Sequence, residues 1–327
     1  GAPPKGAIEA RLFVVDETPG CRFSANLQEA IDAASDGDIV LVRPGTYASG
    51  LSIDGKSVRV FGDPQGVVGS VRLTGSLSLK NLSADQTVLL CDLKLDVTSA
   101  TLTRNEGHLW IERCTLKPFT TIEPVSVEAG ATGFFDSECS AGITALNGAE
   151  MFAYHSRFYG APGRDGYASC YGYCSASYYP YLYSAFCSSQ NSTKGGSGVS
   201  LAGLARASLF GCEARGGSGG NEYSDFPGYC CYDGDCSVGC SGGGDGVSLS
   251  TGTEFTYMDL VTIGGPGGYF SCGNGTPLAG SGSITALTGE VGSYSITGTL
   301  LSGASAQLTF RGPPGWNVFL TYSDEYA

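Results

Sequence analysis

The chain has 327 residues, a formal charge of −13 and only 15% charged residues, with Gly at 51 positions, about twice the usual share. So acidic a balance repels phosphate backbones and argues against nucleic acid as a partner. No apolar run reaches membrane-spanning length, and no signal peptide is visible at Gly1-Ala2-Pro3-Pro4.

Residues 7 to 17 read as an opening strand centred on Leu12-Phe13-Val14-Val15. A short amphipathic helix follows over 26–35, because Leu27, Ala30, Ile31 and Ala34 recur at three- and four-residue spacing while Gln28, Glu29 and Asp32 face outward. Ser24 or Asn26 can cap its start. Asp36-Gly37-Asp38 stops it. Ile39 to Val42, Leu51 to Ile53 and Val58 to Phe61 are then three short strands, separated by the turns Pro44-Gly45-Thr46-Tyr47 and Asp54-Gly55-Lys56. Three strands per lap with no intervening helix describe a coil, and laps of about two dozen residues suit it.

The stretch Phe13 to Gly20, the helix Leu27 to Ala34, Gly37-Asp38, Pro44 to Tyr47 and Gly55-Lys56 resembles the right-handed parallel β-helices of the pectin-lyase-like superfamily. That resemblance implies an all-β coil over 1–275 whose N-terminal helix plugs the first turn. The superfamily holds lyases, hydrolases, esterases, adhesins and structural fibres, so the fold alone leaves the activity open.

Later in the chain Gly195 to Leu201 returns 48 residues on as Gly243 to Leu249, and Gly216 to Gly220 returns at the same shift as Gly264 to Gly268. Gly160-Ala161-Pro162-Gly163 is echoed by Gly264-Gly265-Pro266-Gly267. Loops leaving one corner of the coil would stack, so insertions at about 160–183 and 216–243 are expected to form one lobe. From 276 to 327 the period-two alternation of Ser283 to Leu287, Ser293 to Thr297, Ala306 to Phe310 and Val318 to Tyr322 predicts a small antiparallel C-terminal β domain.

The thirteen cysteines fall into two sets. Cys91, Cys114, Cys139, Cys187 and Cys212 end strand-like segments at spacings of 23, 25, 48 and 25, with Ser156 in the skipped lap. They read as an inward ladder of small thiols. Cys21, Cys170, Cys174, Cys230, Cys231, Cys236, Cys240 and Cys272 lie in loops, which favours disulfides and an extracytoplasmic location, secreted or at the cell surface. A zinc site at Cys230, Cys231, Cys236 and Cys240 is the alternative, against which the spacing argues.

The polygalacturonase and pectate lyase motifs are missing. The nearest catalytic constellation is His155, Arg157, Arg164 and Asp165, a set able to abstract a proton beside a uronate carboxyl. Alternation turns Tyr154 and Ser156 one way and leaves His155 and Arg157 facing solvent, which favours an ordinary surface. Asp233, Asp235 and Asp245 sit in a glycine-rich insertion and are the candidates for calcium, the one cofactor in view. Tyr171, Tyr173, Tyr178, Tyr179 and Tyr181, with Tyr229 and Tyr232, offer flat rings with polar tips that suit sugar stacking, a protein interface, or the lobe's own core. The leading expectation is a structural or adhesive surface protein, self-assembling or meeting other surface proteins through coil ends and the Tyr/Cys lobe. A polysaccharide lyase, glycoside hydrolase or glycan-binding module is the alternative.

Overall fold

A computed structural model describes residues 10–16, 26–63, 70–96, 100–103, 105–117, 125–128, 130–171, 186–190, 192–224, 241–268, 272–288, 293–298 and 306–311. Over 166–171, 186–190, 222–224, 293–298 and 306–311 the description is of backbone and strand pairing. The chain is a right-handed parallel β-helix built on three long sheets of ten, eight and eight strands. Sheet 1 runs from Leu12–Val15 to Ser283–Ala286, sheet 2 from Gly45–Tyr47 to Val261–Ile263, and sheet 3 from Leu51–Asp54 to Leu278–Gly280. Each lap visits sheets 1, 2 and 3 in turn.

Period-two alternation decides which side chains fill the tube. In sheet 1 the inward row Val40, Val60, Leu90, Ile111, Phe134, Ala153 and Leu209 stacks rung on rung, and every member is buried. Phe134 meets Phe158 of sheet 2 edge-on at 5.5 Å, so the layers interlock across the tube. Each such large side chain contributes roughly 1.5–3 kcal/mol of burial.

The helix Leu27–Ala33 occupies the place where later laps put strands of sheets 2 and 3, and it buries Leu27, Ala30 and Ile31 on the first rung. Asn26 caps it, its Oδ1 accepting from the Gln28 N–H at 2.9 Å. Gln28 in turn donates to the Ser52 carbonyl at 2.9 Å and accepts from the Ser52 N–H at 2.8 Å. Ser52 lies on the first strand of sheet 3, so one side-chain amide satisfies an edge that would otherwise offer itself to another chain. Lys56 Nζ donates to the Ile31 and Ala34 carbonyls, both at 3.1 Å, at the negative end of the helix. Asp38, at the start of the next strand, accepts from Arg11 Nη2 at 2.7 Å and from the Ser35 N–H at 2.8 Å. Burial alone would raise this carboxyl, but the bonds from Arg11 and Ser35 outweigh it and hold it below the usual carboxylate range.

Sheets 1 and 2 meet at a corner with a fixed grammar. Asp92, Arg113, Asp136, His155, Gly211 and Asp259 follow the sheet 1 strand on successive laps, and all have left-handed φ between 48° and 60°. The residue after each turns inward, giving the column Leu93, Cys114, Ser137, Ser156, Cys212 and Leu260. Within it the Cys114 N–H donates to Ser137 Oγ at 3.1 Å, the Ser137 N–H to Ser156 Oγ at 3.2 Å, and the Ser156 N–H to Cys212 Sγ at 3.5 Å. Small polar side chains thus replace the ladder bonds that the corner breaks.

This column corrects the expected thiol ladder. Cys114, Ser156 and Cys212 do share it, but Cys91 lies in the sheet 1 strand beside Glu112, and Cys139 in sheet 2 between Leu116 and Phe158. Cys91 to Cys114 is 23 residues where the lap from Cys91 to Glu112 is 21, so the next thiol falls two positions further along. Cys91 shares the outward row of Glu112, whereas the left-handed Arg113 between Glu112 and Cys114 interrupts the alternation and turns Cys114 inward. Cys187 is not in the coil at all; its Cα pairs with that of Cys170 in an antiparallel hairpin of the first insertion. Burial pushes the thiols of Cys91, Cys114 and Cys139 up to about 12 and that of Cys212 up to about 11. Thiolate is the reactive form, so iodoacetamide at pH 8 should leave these four unmodified in the folded protein and label them in guanidinium. Peptide-mapping mass spectrometry checks this, and native labelling of Cys114 or Cys139 would contradict the burial.

Three successive laps leave the coil between sheets 2 and 3. Their stems are six glycine-rich segments, 160–165, 192–198, 216–221, 241–246, 264–268 and 272–277, none of which is strand or helix. Hydrogen bonds to a given neighbour recur every three residues. Gly160 and Gly163 donate to Arg215 and Ser218, Gly216 and Gly219 to Ile263 and Pro266, and Gly195 and Gly198 to Gly242 and Asp245. A three-residue period without internal bonds is that of polyproline II helices, whose backbone groups must be satisfied from outside. The outgoing segments form one layer and the returning segments another. A chain of 2.8 Å bonds stitches the layers together, from Gly196 to Ala161, Gly217 to Gly196, Gly244 to Gly217, and Gly265 to Gly244. At the far end Glu222–Ser224 pairs in parallel with Gly166–Ala168, so the described starts of the two insertions meet there. The strands of sheet 3 resume at Val199–Leu201 and Val247–Leu249.

The coil also continues past 275. Leu278–Gly280 and Ser283–Ala286 pair in parallel with Val247–Leu249 and Glu254–Tyr257. Period-two alternation is common to half-buried strands of either kind, so it could not assign Ser283 to Leu287 between coil and C-terminal domain. Beyond them, Ser293–Gly298 and Ala306–Arg311 form an antiparallel pair.

Candidate functional site

Of the residues singled out in the sequence, His155, Arg157, Arg164, Asp165 and Asp245 are among the described residues. His155 sits at the sheet 1 and sheet 2 corner, its Nδ1 3.8 Å from Asp136 Oδ1 and its ring 4.0 Å from that of Tyr154. Arg157 points outward from sheet 2, 4.0 Å from Glu213. Arg164 and Asp165 stand further on, in the first glycine segment, where Asp165 accepts from the Asn221 N–H at 2.7 Å. His155, Arg157 and Asp165 thus have separate partners. Asp245 is buried, accepts from the Thr276 N–H and hydroxyl, both at 2.9 Å, and pairs with Lys194 at 3.0 Å. Burial raises this carboxyl, and the bonds from Thr276 and Lys194 more than reverse the shift. Its role on these contacts is to pin all three returning segments together. Among the described residues no cluster of three or more His, Cys, Asp or Glu could hold a metal ion. Asp233, Asp235, Tyr173, Tyr178, Tyr179, Tyr181, Tyr229 and Tyr232 lie outside the described residues, as do Cys21, Cys174, Cys230, Cys231, Cys236 and Cys240. Tyr171 and Cys170 fall in the strand Gly166–Tyr171, where only the backbone is described, and Cys272 is disulfide-bonded.

A feature that the sequence reading passed over lies on the outer face of sheet 1. Strands Thr87–Cys91, His108–Glu112, Ala131–Phe135, Glu150–Tyr154 and Arg206–Phe210 pair in register, so Leu89, Trp110, Gly133, Phe152 and Ser208 form one outward row. Glu112, Phe135, Tyr154 and Phe210 form the next. Trp110 is 37% and Phe152 42% exposed, although both belong to strands whose flanking residues are buried. Trp110 and Phe135 lie 5.1 Å apart at an interplanar angle of 30°. Gly133 makes that arrangement possible. A Cβ there would sit 2.6 Å from Trp110 Cε3 and 2.7 Å from Phe135 Cε2, so the missing side chain is the space across which both rings are laid.

Charged residues border the strip on both sides. On one, Glu150, Arg206 and Glu254 stack in register, with Arg206 3.7 Å from Glu150 and 3.1 Å from Glu254. On the other, Arg113 is 2.8 Å from Asp92 and also pairs with Glu112. The Arg113 guanidinium holds the Asp92 carboxyl below its usual range despite partial burial. The signal for the strip was present in Leu109-Trp110-Ile111 and Met151-Phe152-Ala153. Once the flanking residues of each triplet point inward, the aromatic between them must point out.

The molecule is thus a parallel β-helix carrying an exposed aromatic strip with a polar rim. Comparison with protein-family models found no match, and neither did comparisons with curated proteins or with solved structures. No helix among the described residues is long and apolar enough to cross a membrane.

Proposed function

We propose that the protein is a secreted or surface-exposed adhesive scaffold of the pectin-lyase-like kind, which binds an extended glycan along the outer face of sheet 1 without turning it over. The observation that carries this reading is Trp110 lying across Gly133 with its ring open to solvent. A ring face presented along a rigid sheet matches the apolar face of a pyranose, and the polar rim supplies hydrogen-bond partners for hydroxyls at its edges. Trp110 and Phe152 are two rungs apart, roughly 9.5 Å at the usual strand spacing, the reach of about two sugar units in an extended chain. Binding without turnover fits the separate partners held by His155, Arg157 and Asp165.

Contact between copies has its apolar surface elsewhere, at Leu12 on the first strand of sheet 1 and at Ile284 and Leu287 on and just after the last. The strip has the more specific geometry. Its test is calorimetric titration with a panel of soluble polysaccharides. Trp110→Ala should weaken binding at least roughly tenfold, or ~1.4 kcal/mol, with no change in melting temperature beyond that of an ordinary surface substitution. Equal affinity in the variant and the parent protein would remove the strip as the binding face.

A further inference from the structure

The rim allows the ligand's chemical class to be narrowed, on the footing that the strip is the binding face. Both guanidiniums that border the aromatic rows, Arg113 and Arg206, already have carboxylate partners. Arg206 is shared between Glu150 and Glu254, Arg113 between Asp92 and Glu112, and His155 faces Asp136. Arg59, in the same outward row as Leu89 and Trp110, also has a partner. Five carboxylates therefore stand against three guanidiniums, Arg59 included, in a chain whose overall charge is −13.

An anionic sugar laid on Trp110 would meet this excess of carboxylates. To gain an ion pair of its own it would have to pull Arg113 or Arg206 away from existing partners, leaving carboxylates unpaired beside the ligand's acidic groups. Hydroxyls have no such conflict, because the rim oxygens not engaged by arginine can accept from them. An amino sugar would also be compatible with the rim. We infer that the strip selects glycans without acidic groups, neutral or amino-bearing, and rejects polyuronates and sulfated chains.

The experiment titrates the intact protein with a neutral β-glucan, a chitosan oligomer, polygalacturonate and a sulfated glycan, each at low and at physiological salt. The neutral or amino-bearing chain should bind at least roughly tenfold more tightly than either anionic one. Any residual anionic binding should strengthen as salt screens the rim. Trp110→Ala should abolish the preferred binding, and the double substitution Glu150→Gln with Glu254→Gln should narrow the discrimination by freeing Arg206. Polygalacturonate bound as tightly as the glucan, in a Trp110-dependent way, would overturn the charge inference and leave the strip as the binding face. Binding that is indifferent to Trp110→Ala, or binding to none of the four, would overturn the strip reading and this inference with it.

Discussion

Gly217→Ala is expected to lower stability by on the order of 3–5 kcal/mol, among the largest costs of a single methyl group. Gly217 lies in the third glycine segment, donates to the Gly196 carbonyl and accepts from the Gly244 N–H, both at 2.8 Å. A Cβ at this position would overlap the Ala161 carbonyl oxygen and crowd that of Gly160, both backbone atoms of a packed neighbour. Neither can swing aside as a side-chain end would, so the segments must separate and the stitching bonds lengthen. Gly273→Ala is the matched control, since a Cβ there meets nothing within 4 Å, and it should change stability by no more than about 0.5 kcal/mol. Thermal and urea unfolding of the two variants beside the parent protein measure the difference. If Gly217→Ala melts with Gly273→Ala, the layered bundle is wrong.

Gly133→Val should impair binding without removing either ring of the strip. The valine side chain would occupy the space now held by Trp110 Cε3 and Phe135 Cε2, driving both rings off the sheet. Loss of stability should be about 1–3 kcal/mol, in the range of overpacked sites. Glycan affinity should fall at least roughly tenfold, because a displaced indole no longer presents its face in line with Phe152. Trp110 is one of only two tryptophans, so a shift of the emission spectrum reports the displacement directly. On a Trp110→Ala background the valine should cost little further affinity, and a double-mutant cycle tests that dependence. Additive losses would mean that Gly133 acts on binding by some route other than the ring laid across it.

Legibility differed sharply between parts of the molecule. The helix was readable because its stripe is local: Leu27, Ala30 and Ile31 identify their own face. Only the fold, however, gave Gln28 its partner, since Ser52 lies 24 residues away. The repeats at a shift of 48 were readable too, and Val199 does pair with Val247. Their glycines read as parts of inserted loops, whereas they are the walls of a two-layer bundle. Nothing in a single glycine-rich segment tells whether it bends or packs. That depends on five other segments arriving alongside it.

By itself, the sequence determined the coil and its N-terminal helix, because period-two alternation and the helical stripe are properties of short stretches. The tertiary structure decided the register. Laps vary from 19 residues between Thr132 and Met151 to 56 between Met151 and Ala207, so equal spacing in the chain is not equal position in the stack. Hence Cys91, Cys114 and Cys139 occupy three different positions around the tube, while Trp110 and Phe152 share one outward row with Gly133 between them. Which side chains become neighbours is set by hydrogen bonding between rungs, and those bonds exist only once the whole tube has closed.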